Sequence, residues 1–393
     1  MTEKRLRRSV GDDPPSARLL YGVDAREGLR LLPPNSVQCV VTSPPYFGLR
    51  DYGRAGQIGL EDTPEAYVES LVEVFREVKR VLRTDGTVWL NLGDSYSSSP
   101  HDGATLGVKP KDLLGIPWEV ALALRKDGWY LRQDVVWHKG ACMPESITDR
   151  FTKSHEYVFL LAHPNSGGRY FFDSFAVREK AVGKPQLRLT KRLDHPKDTE
   201  HPRLEGSTGT ETRVRRSVWL INPRSYHDAH FATFPPELPE LCIRAGTSEK
   251  GACPSCGAPW TRLVSLGDVV SEGGGDTGTR ATNMHAVLGQ SVAHAYNTGK
   301  MVQRDPVSAG WEPGCACPHP AGVKLARCVV LDPFSGSGTT GMAAMDLGRD
   351  YVGTDLNEEY LPMAEVRVLA TGTREVEPPP EVGDFMDLFG DDA

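Results

Sequence analysis

The sequence predicts an α/β protein built around a doubly wound, mostly parallel sheet. Short apolar runs alternate along the chain with stretches whose apolar residues recur at helical spacing. The last such group, over residues 327–369, follows the order strand, helix, strand, helix. Strands joined through a helix pair in parallel, because the helix returns the chain to the starting edge of the sheet.

The individual elements follow from apolar spacing and residue type. Short apolar runs rich in β-branched or aromatic residues predict strands at 18–21, 38–42, 87–93, 130–138, 157–162, 327–331 and 351–354. Apolar side chains three and four residues apart predict helices at 67–82, 118–126, 237–245, 339–347 and 358–369. Asp85-Gly86 predicts a turn between the first helix and the following strand.

The composition is that of an ordinary globular protein. The 393 residues are 39% hydrophobic and 25% charged, which excludes a fibrous or wholly disordered chain. No apolar run approaches the ~20 residues that span a bilayer. The basic N-terminus lacks the apolar stretch of a secretory signal. We therefore expect a cytoplasmic protein that has no membrane partner.

Charge is distributed unevenly along the chain. Residues 375–393 carry seven of the acidic residues and no basic one, so that the net charge of -7 belongs to this tail. Residues 178–224 contain twelve Lys or Arg and six Asp or Glu. This excess of positive charge fits a nucleic-acid contact, with a solvated loop as the alternative interpretation.

Four cysteines form two close pairs, CPSC with Cys253 and Cys256, and CAC with Cys315 and Cys317. Two such pairs on either side of a long insert predict four thiolate ligands for one tetrahedral zinc, as in a zinc ribbon. Because all four positions would be filled by protein, the zinc would be structural. A disulfide framework is the poorer alternative in a reducing compartment. The insert also encloses a Gly/Ser/Thr-rich stretch that predicts a loop.

A glycine-rich loop, DPFSGSGTT at 332–340, follows a predicted strand and opens a helix. Gly336 and Gly338 permit a tight turn, and the free N–H groups at the helix start face an anionic group. The next strand ends in Asp355, at the spacing of the ribose-binding acid in nucleotide-binding βαβ units. No lysine follows Gly338, which disfavours an ATPase, whereas this loop alone leaves a dinucleotide enzyme open.

A second loop, TSPPY at 42–46, ends another predicted strand. Pro44 and Pro45 stop the strand and stiffen the loop at its carboxyl end. Ligands bind at this edge in open α/β sheets. Taken alone, the motif also fits a proline-terminated strand with an exposed tyrosine.

TSPPY and DPFSGSGTT, together with GTDLNEEY at 353–360, resemble the DNA amino-methyltransferases, which methylate exocyclic base nitrogens with S-adenosyl-L-methionine. The order of the two loops matches the circularly permuted beta class. Further matches are LGDSY at 92–96, DVVWHK at 134–139, PES at 144–146 and HFATFP at 230–235. The resemblance covers most of residues 18–370 and implies a seven-stranded methyltransferase sheet.

The resemblance implies that Ser43, Pro44, Pro45 and Tyr46 are catalytic. Serine at the first motif position is associated with cytosine-N4 methylation. The Ser43 hydroxyl and the Pro44 carbonyl would accept hydrogen bonds from the amine, and Tyr46 would stack on a base flipped out of the duplex. Adenine-N6 methylation is the runner-up, and a non-catalytic zinc-ribbon DNA-binding protein is a further alternative. Cytosine-C5 methylation requires a Pro-Cys dipeptide, which the sequence lacks.

The resemblance also implies which residues bind the cofactor. The expected S-adenosyl-L-methionine site comprises Asp24, Phe231, Thr233, Asp332, Phe334, Gly336, Gly338, Thr339 and Asp355. Asp355 would bind the ribose, and Phe231 and Thr233 would close over the amino-acid end. Asp24 would meet the adenine amine, with a helix N-cap or loop acid as an equal alternative.

Double-stranded DNA is the implied substrate. The expected DNA-binding residues are Lys139, Arg150, Lys191, Arg192, Arg215 and Arg216. Lys139 and Arg150 would contact DNA or order the catalytic loop, with a plain surface role as the alternative. The other four lie in the expected target-recognition region, where basic side chains fix phosphates. The zinc ribbon would brace this region, and direct DNA contact is its alternative role.

Six segments summarise the expected organisation. They are the catalytic half of the methyltransferase domain (18–180), the target-recognition region (181–225), a cofactor-closing segment (226–250), the zinc-ribbon insert with its flexible loop (251–320), the cofactor-binding half (321–370) and a disordered acidic tail (371–393).

Two protein partners are also expected. One is a cognate restriction enzyme, in the nucleoid-associated cytoplasm of a bacterium or a phage host. The other is a sliding clamp, because Phe385–Phe389 (FMDLF) resembles the QLDLF-type peptide with which bacterial replication proteins bind it. Phe385 and Met386 depart from that peptide, and a frayed terminus is the alternative.

Overall fold

The computed structural model describes residues 1–7, 14–97, 108–142, 144–181, 187–189, 204–206, 212–223, 234–273 and 301–370. The chain divides into two compact units. The first comprises Met1–Ala176, Arg216–Thr261 and Trp311–Gly372, and the second comprises Val177–Arg215, Arg262–Gly310 and Thr373–Ala393. The expected acidic tail, with the clamp-like residues 385–389, lies outside the described residues.

Strands and helices alternate through most of the first unit. The strands in chain order are β1 Thr2–Arg7, β2 Ser16–Tyr21, β3 Val37–Thr42, β4 Leu82–Leu92, β5 Tyr130–His138, β6 His155–Ala162, β7 Glu179–Lys180, β8 Leu187–Leu189, β9 Leu204–Gly206, β10 Thr212–Arg213, β11 Val218–Leu220, β12 Thr261–Gly273, β13 Met301–Glu312, β14 Val329–Asp332 and β15 Asp350–Asp355. The helices are α1 Ala25–Arg30, α2 Pro64–Val81, α3 Ile116–Lys126, α4 Glu237–Gly246, α5 Thr339–Asp346 and α6 Leu361–Leu369.

The first unit is built on one sheet with the order β1-β2-β15-β14-β3-β4-β6-β5-β11. The five strands β2, β15, β14, β3 and β4 are mutually parallel, whereas β1 and β6 run antiparallel to their neighbours. All seven predicted strands are present. Two edge strands, β1 and β11, bring the described sheet to nine strands, so the expected number of seven is too low. Both escaped prediction because β1 is polar and β11 has only three residues.

Helices cover both faces of this sheet, which confirms the doubly wound arrangement. The core side chains of α1, α2 and α3 pack in one cluster with Val40 and Leu90. The end of α4 lies on the opposite face, where a Cβ on Gly246 would come within 2.8 Å of Cys39 Sγ. Adjacent residues of a strand point to opposite faces, which explains why Cys39 and Val40 meet different helices.

The predicted turn at Asp85-Gly86 is instead an irregularity inside β4. Two steps along β3, from Val37 to Cys39, correspond to five steps along β4, from Leu82 to Thr87. The chain bulges here, and it can do so because Gly86 has no side chain: a Cβ would lie 2.8 Å from the carbonyl oxygen of Gln38.

The described strands of the second unit form two-stranded sheets. β7 pairs with β10 and β8 with β9, both antiparallel, and β12 pairs with β13. The Gly/Ser/Thr-rich loop predicted in the cysteine insert begins later than expected, because β12 extends to Gly273. Residues 274–300 lie outside the described part of the chain. Among the described residues, no helix has both the length and the apolar character needed to cross a membrane.

Gly338 caps α5 and supports a prediction about stability. Its φ is +79°, and an added Cβ would lie 3.2 Å from both Ala364 and Val368 of α6. Gly348 has a similar φ of +73°, but there the nearest atom is the end of the Arg327 side chain at 3.9 Å. We expect Gly348→Ala to cost ~1 kcal/mol through the backbone alone. Gly338→Ala should cost ~1–3 kcal/mol more through crowding.

Urea unfolding of both variants and the wild type measures this difference in the free energy of unfolding. Equal costs for the two substitutions would show that α5 and α6 do not pack closely at Gly338.

Candidate active site

The two predicted loops meet at one edge of the sheet. β3 and β14 are adjacent and parallel, with Leu331 paired to Val40, so both strands end at the same edge. The Thr42 hydroxyl donates a hydrogen bond to Asp332 Oδ1 at 2.6 Å. A cavity of about 520 Å³ opens here, and its walls include residues of both loops. The predicted residues lining it are Asp24, Ser43, Pro44, Pro45, Tyr46, Lys139, Asp332, Phe334, Gly336, Thr339 and Asp355.

Asp332 holds the glycine-rich loop together. Its buried carboxylate accepts hydrogen bonds from Thr42, from the Thr340 hydroxyl at 2.8 Å and from the backbone N–H of Phe334 at 3.0 Å. Burial raises the pKa of this carboxyl to about 6. The three donors come from β3, from the turn between β14 and α5, and from α5 itself, so one side chain fixes all three segments.

Asp355 stabilises the turn from its other side. The N–H of Gly336 donates to Asp355 Oδ2 at 2.7 Å, and the N–H of Asn357 donates to Oδ1 at 2.8 Å. Gly336 adopts a φ of +49°, a region that glycine enters without strain. The Tyr21 hydroxyl donates to the Gly336 carbonyl at 2.8 Å. Burial raises the pKa of Asp355 to about 6.

Thr339 offers an unused polar atom at the same cavity. Its side chain is buried, and among the described residues Thr339 Oγ1 has no hydrogen-bond partner. A buried hydroxyl without a partner is costly in a folded protein. Together with the two carboxylates, it fits a ligand that carries both hydroxyl and charged groups, as a nucleoside attached to an amino acid does.

The TSPPY loop is fixed by two tyrosines. The Tyr67 hydroxyl donates to the Pro45 carbonyl at 2.8 Å. The Tyr46 hydroxyl donates to Glu156 Oε2 at 2.6 Å, and its ring lies so close to Gly93 that a Cβ there would be 2.6 Å away. Burial, followed by the charge of Glu156, raises the pKa of Tyr46, which therefore stays a proton donor.

Sequence reasoning missed Glu156 and Asn91. Asn91 donates from Nδ2 to Glu156 Oε2 at 3.1 Å, and Lys139 forms an ion pair with the same carboxylate. The Ser43 hydroxyl lies 3.4 Å from the Tyr46 hydroxyl, which continues the network to the first residue of the motif. The only sequence signal was a polar residue interrupting each of two apolar strand runs, TVWLNLG and HEYVFLL.

Asp24 takes the role that sequence reasoning offered as its alternative. It is the N-cap of α1, where its carboxylate accepts from the N–H of Arg26 at 2.8 Å and pairs with the Arg26 guanidinium at 3.0 Å. Burial alone would raise the pKa of Asp24, but these interactions with Arg26 outweigh it and lower the pKa. Its place on the cavity wall is compatible with a ligand contact as well.

The expected DNA-binding residues lie in different environments. Arg150 pairs with Glu145 at 2.5 Å, and its guanidinium carbon lies 3.8 Å from the centroid of the Tyr96 ring. Arg215, in the second unit, donates to the Val177 carbonyl at 3.1 Å. Arg216 belongs to the first unit and is exposed. Residues 191 and 192 lie outside the described part of the chain, as do the expected cofactor residues 231 and 233.

The four cysteines of the two close pairs come together in the first unit. The sulfurs of Cys253, Cys256, Cys315 and Cys317 all lie within 4.8 Å of one another. Zinc–sulfur bonds of ~2.3 Å in a tetrahedral site place sulfurs ~3.8 Å apart, so the cluster fits one zinc ion. His319 Nε2 lies 3.9 Å from Cys315 Sγ.

This cluster is attached at the edge of the sheet opposite the cavity. Gln38 donates from Nε2 to the Gly257 carbonyl at 3.0 Å, and Arg83 donates to the Cys256 carbonyl. Gln38 and Arg83 are each the second residue of their strand, β3 and β4, whereas the cavity forms where β3 ends at Thr42. The two sites therefore occupy opposite ends of the same strands.

The strands at the centre of the sheet are parallel, a glycine-rich turn follows β14, and a carboxylate ends β15. These features together are those of a Rossmann-like methyltransferase fold. The family model for DNA methylases of the N6/N4 type matches residues 37–258 and 326–366, and the chain belongs to this family. This membership agrees with the resemblance based on the TSPPY and DPFSGSGTT loops.

Curated relatives and a solved structure extend the match over nearly the whole chain. Type II methyltransferase M.SmaI of Serratia marcescens is 35% identical over 371 residues, covering 90% of this chain and 91% of that protein. M.Cfr9I of Citrobacter freundii is 35% identical over 390 residues, covering 95% and 94%. The PvuII cytosine-N4-specific DNA methyltransferase shares the fold, with a TM-score of 0.51 and 17% identity over 91% of this chain and 88% of that one.

The pKa of Asp332 makes stability depend on pH in a defined direction. Because burial raises this pKa from 3.8 to about 6, the folded state binds the proton more tightly than the unfolded state. The resulting stabilisation is complete below about pH 4 and is lost as the pH rises through 6. Relative to Asp332→Asn, the wild type should lose on the order of 2–3 kcal/mol of unfolding free energy across this interval.

Urea unfolding at a series of pH values measures both curves. If the wild-type and Asp332→Asn curves stay parallel, the carboxyl at 332 titrates at the same pH in the folded and unfolded states.

Proposed function

We propose that this protein is a site-specific type II DNA methyltransferase that methylates the exocyclic N4 amine of cytosine in double-stranded DNA. The observation that carries the proposal is the junction of the TSPPY and glycine-rich loops around one cavity, joined by the Thr42–Asp332 hydrogen bond. Family membership supplies the reaction class, and the loop order supports assignment to the permuted beta class.

S-adenosyl-L-methionine is the proposed cofactor, and it would supply an activated methyl group on a sulfonium sulfur. Asp355 would bind the ribose hydroxyls, and Thr339, with its unpaired hydroxyl, would contact the methionine part near Phe334 and the glycine turn. Phe234, from the HFATFP motif, lines the same cavity and supports a closing role for that segment.

The hydrogen-bond network orients Ser43 for the target amine. Ser43 donates its proton towards Tyr46, and Tyr46 donates its own to Glu156. This direction leaves the lone pairs of the Ser43 oxygen free to accept hydrogen bonds from the amine, together with the Pro44 carbonyl. Both acceptors would draw the amine out of conjugation with the ring and aim its lone pair at the methyl group, so that catalysis rests on positioning.

The choice of cytosine rests on Ser43, a neutral acceptor at the first motif position. Adenine-N6 methylation is the second candidate, because the matching family includes both reactions. The third alternative, a non-catalytic zinc-ribbon DNA-binding protein, does not explain why the catalytic tyrosine is held by Glu156 and Asn91 beside an intact cofactor loop.

The proposed biological role follows from relatives that are named type II methyltransferases. The enzyme would protect one DNA sequence from a cognate restriction enzyme. Target recognition is assigned to residues 181–225, with Lys191, Arg192, Arg215 and Arg216 fixing phosphates. Clamp binding through residues 385–389 also remains a proposal, and pull-down with a tail peptide carrying or lacking Leu388 and Phe389 tests it.

The methylated base and the role of Ser43 are tested together. Labelled S-adenosyl-L-methionine and duplex DNA measure methyl transfer, and nucleoside mass spectrometry separates N4-methylcytosine from N6-methyladenine. We expect N4-methylcytosine, and we expect Ser43→Ala to lower the rate by ~10²-fold or more through lost hydrogen bonding. Ser36→Ala is the control, because the Ser36 hydroxyl donates to the Pro33 carbonyl at 2.7 Å just before β3, at the opposite end of that strand from the cavity. An unchanged rate for Ser43→Ala would disprove the proposed role.

The four cysteines are proposed to hold a structural zinc that fixes the insert to the sheet. The purified protein should contain ~1 zinc per chain, and a chelator should lower its thermal unfolding midpoint. Cys256→Ser should lose the metal, whereas the control Cys142→Ser, a half-buried cysteine outside the cluster, should retain it. The proposal would be contradicted if protein purified from cells grown with added zinc contained no zinc, or if both variants lost the metal equally.

A further inference from the structure

Phe151 is the most exposed of the large hydrophobic side chains in the described part of the chain. Its side chain is 96% exposed, compared with 67% for the next, Val366. Single exposed apolar residues are common on protein surfaces and by themselves indicate nothing. Phe151 differs from such residues in its position and in the rigidity of its surroundings.

The loop that carries Phe151 rises from the wall of the active-site cavity. It connects β5 to β6, and β5 ends at the same edge of the sheet as β3 and β14, because β6 runs antiparallel to both β4 and β5. The two ends of the loop are joined where the N–H of Lys139 donates to the Ser154 carbonyl at 2.7 Å. Lys139 and Glu156, at these two ends, both line the cavity.

Ion pairs and hydrogen bonds hold the backbone on both sides of Phe151. Glu145 accepts from the Arg150 side chain at 2.5 Å and from the N–H of Lys153 at 3.0 Å. The Lys153 ammonium lies 3.6 Å from Asp94 Oδ2, which belongs to the LGDSY motif. Arg150 and Lys153, on either side of Phe151 in the sequence, are therefore both anchored, whereas the ring of Phe151 lies in solvent.

We propose that Phe151 enters the DNA base stack beside the target and occupies the space that the extruded base leaves. A base must leave the duplex before its amine can reach a buried methyl donor, and the unstacking costs a few kcal/mol. Apolar side chains inserted between base steps offset such a cost in other DNA-bending proteins. A planar ring on an anchored loop at the mouth of the cavity suits this role.

This inference rests on the proposed function, and its test separates the two. The measurement is the single-turnover methylation rate on the duplex sequence that the wild type methylates. A second duplex carries an abasic site opposite the target base, which leaves that base unpaired. The variants are Phe151→Ala, Phe151→Trp and the control Val366→Ala, an exposed apolar residue of α6.

On the fully paired duplex, Phe151→Ala should be ~10-fold or more slower than the wild type, and Phe151→Trp should retain most of the rate. On the abasic duplex the Phe151→Ala defect should shrink to ~3-fold or less, because extrusion then needs little help. Val366→Ala should match the wild type on both substrates. Fluorescence of 2-aminopurine placed at the target should show less extruded base with Phe151→Ala than with the wild type.

Two results would overturn the inference while leaving the proposed function intact. In the first, Phe151→Ala methylates the paired duplex at the wild-type rate. In the second, the methylation rate of Phe151→Ala falls by the same factor on both duplexes, which would mean that Phe151 supports folding or general DNA affinity. Equal thermal unfolding midpoints for Phe151→Ala and the wild type exclude a folding defect. If the wild type methylates no duplex DNA at all, the proposed function fails, and the inference fails with it.

Discussion

The candidate active site depends on one buried carboxylate, Asp332. A charged group in a protein interior is unfavourable unless donors surround it, and here three donors come from β3, the glycine-rich turn and α5. The pairing of β3 with β14 brings Thr42 within reach. The TSPPY and glycine-rich loops, separated by almost 300 residues of sequence, are consequently held together by the register of two neighbouring strands.

The opposite ends of the same strands carry a different kind of constraint. Gln38 uses both ends of its amide, donating to the Gly257 carbonyl and accepting from the N–H of Val329 at 2.7 Å. One side chain thereby connects β3, β14 and the CPSC turn. The candidate active site lies at the carboxyl edge of the sheet, and the cysteine cluster is attached at its amino edge. β3 is buried along its whole length, so the two edges are joined through a well-packed core.

Sequence patterns predicted what depends on local spacing. Apolar periodicity located seven strands and five helices, and the rule that ligands bind at strand carboxyl ends placed TSPPY beside the glycine-rich loop. Sequence patterns did not reveal side-chain contacts that depend on how strands pair across the sheet. Asn91 meets Glu156 only because β4 and β6 run antiparallel in the register that pairs Asn91 with Val158. The six-residue α1 was too short for its periodicity to be recognised, which left the capping role of Asp24 undecided.

The contact between the two cysteine pairs affects how freely the segment between them can vary in length. The four sulfurs lie close together, so the segment between residues 257 and 314 begins and ends at the same place. The entropy cost of a closed loop rises only logarithmically with its length. A change in the length of this segment therefore costs little closure entropy, and its two ends stay fixed at the edge of the sheet opposite the cavity.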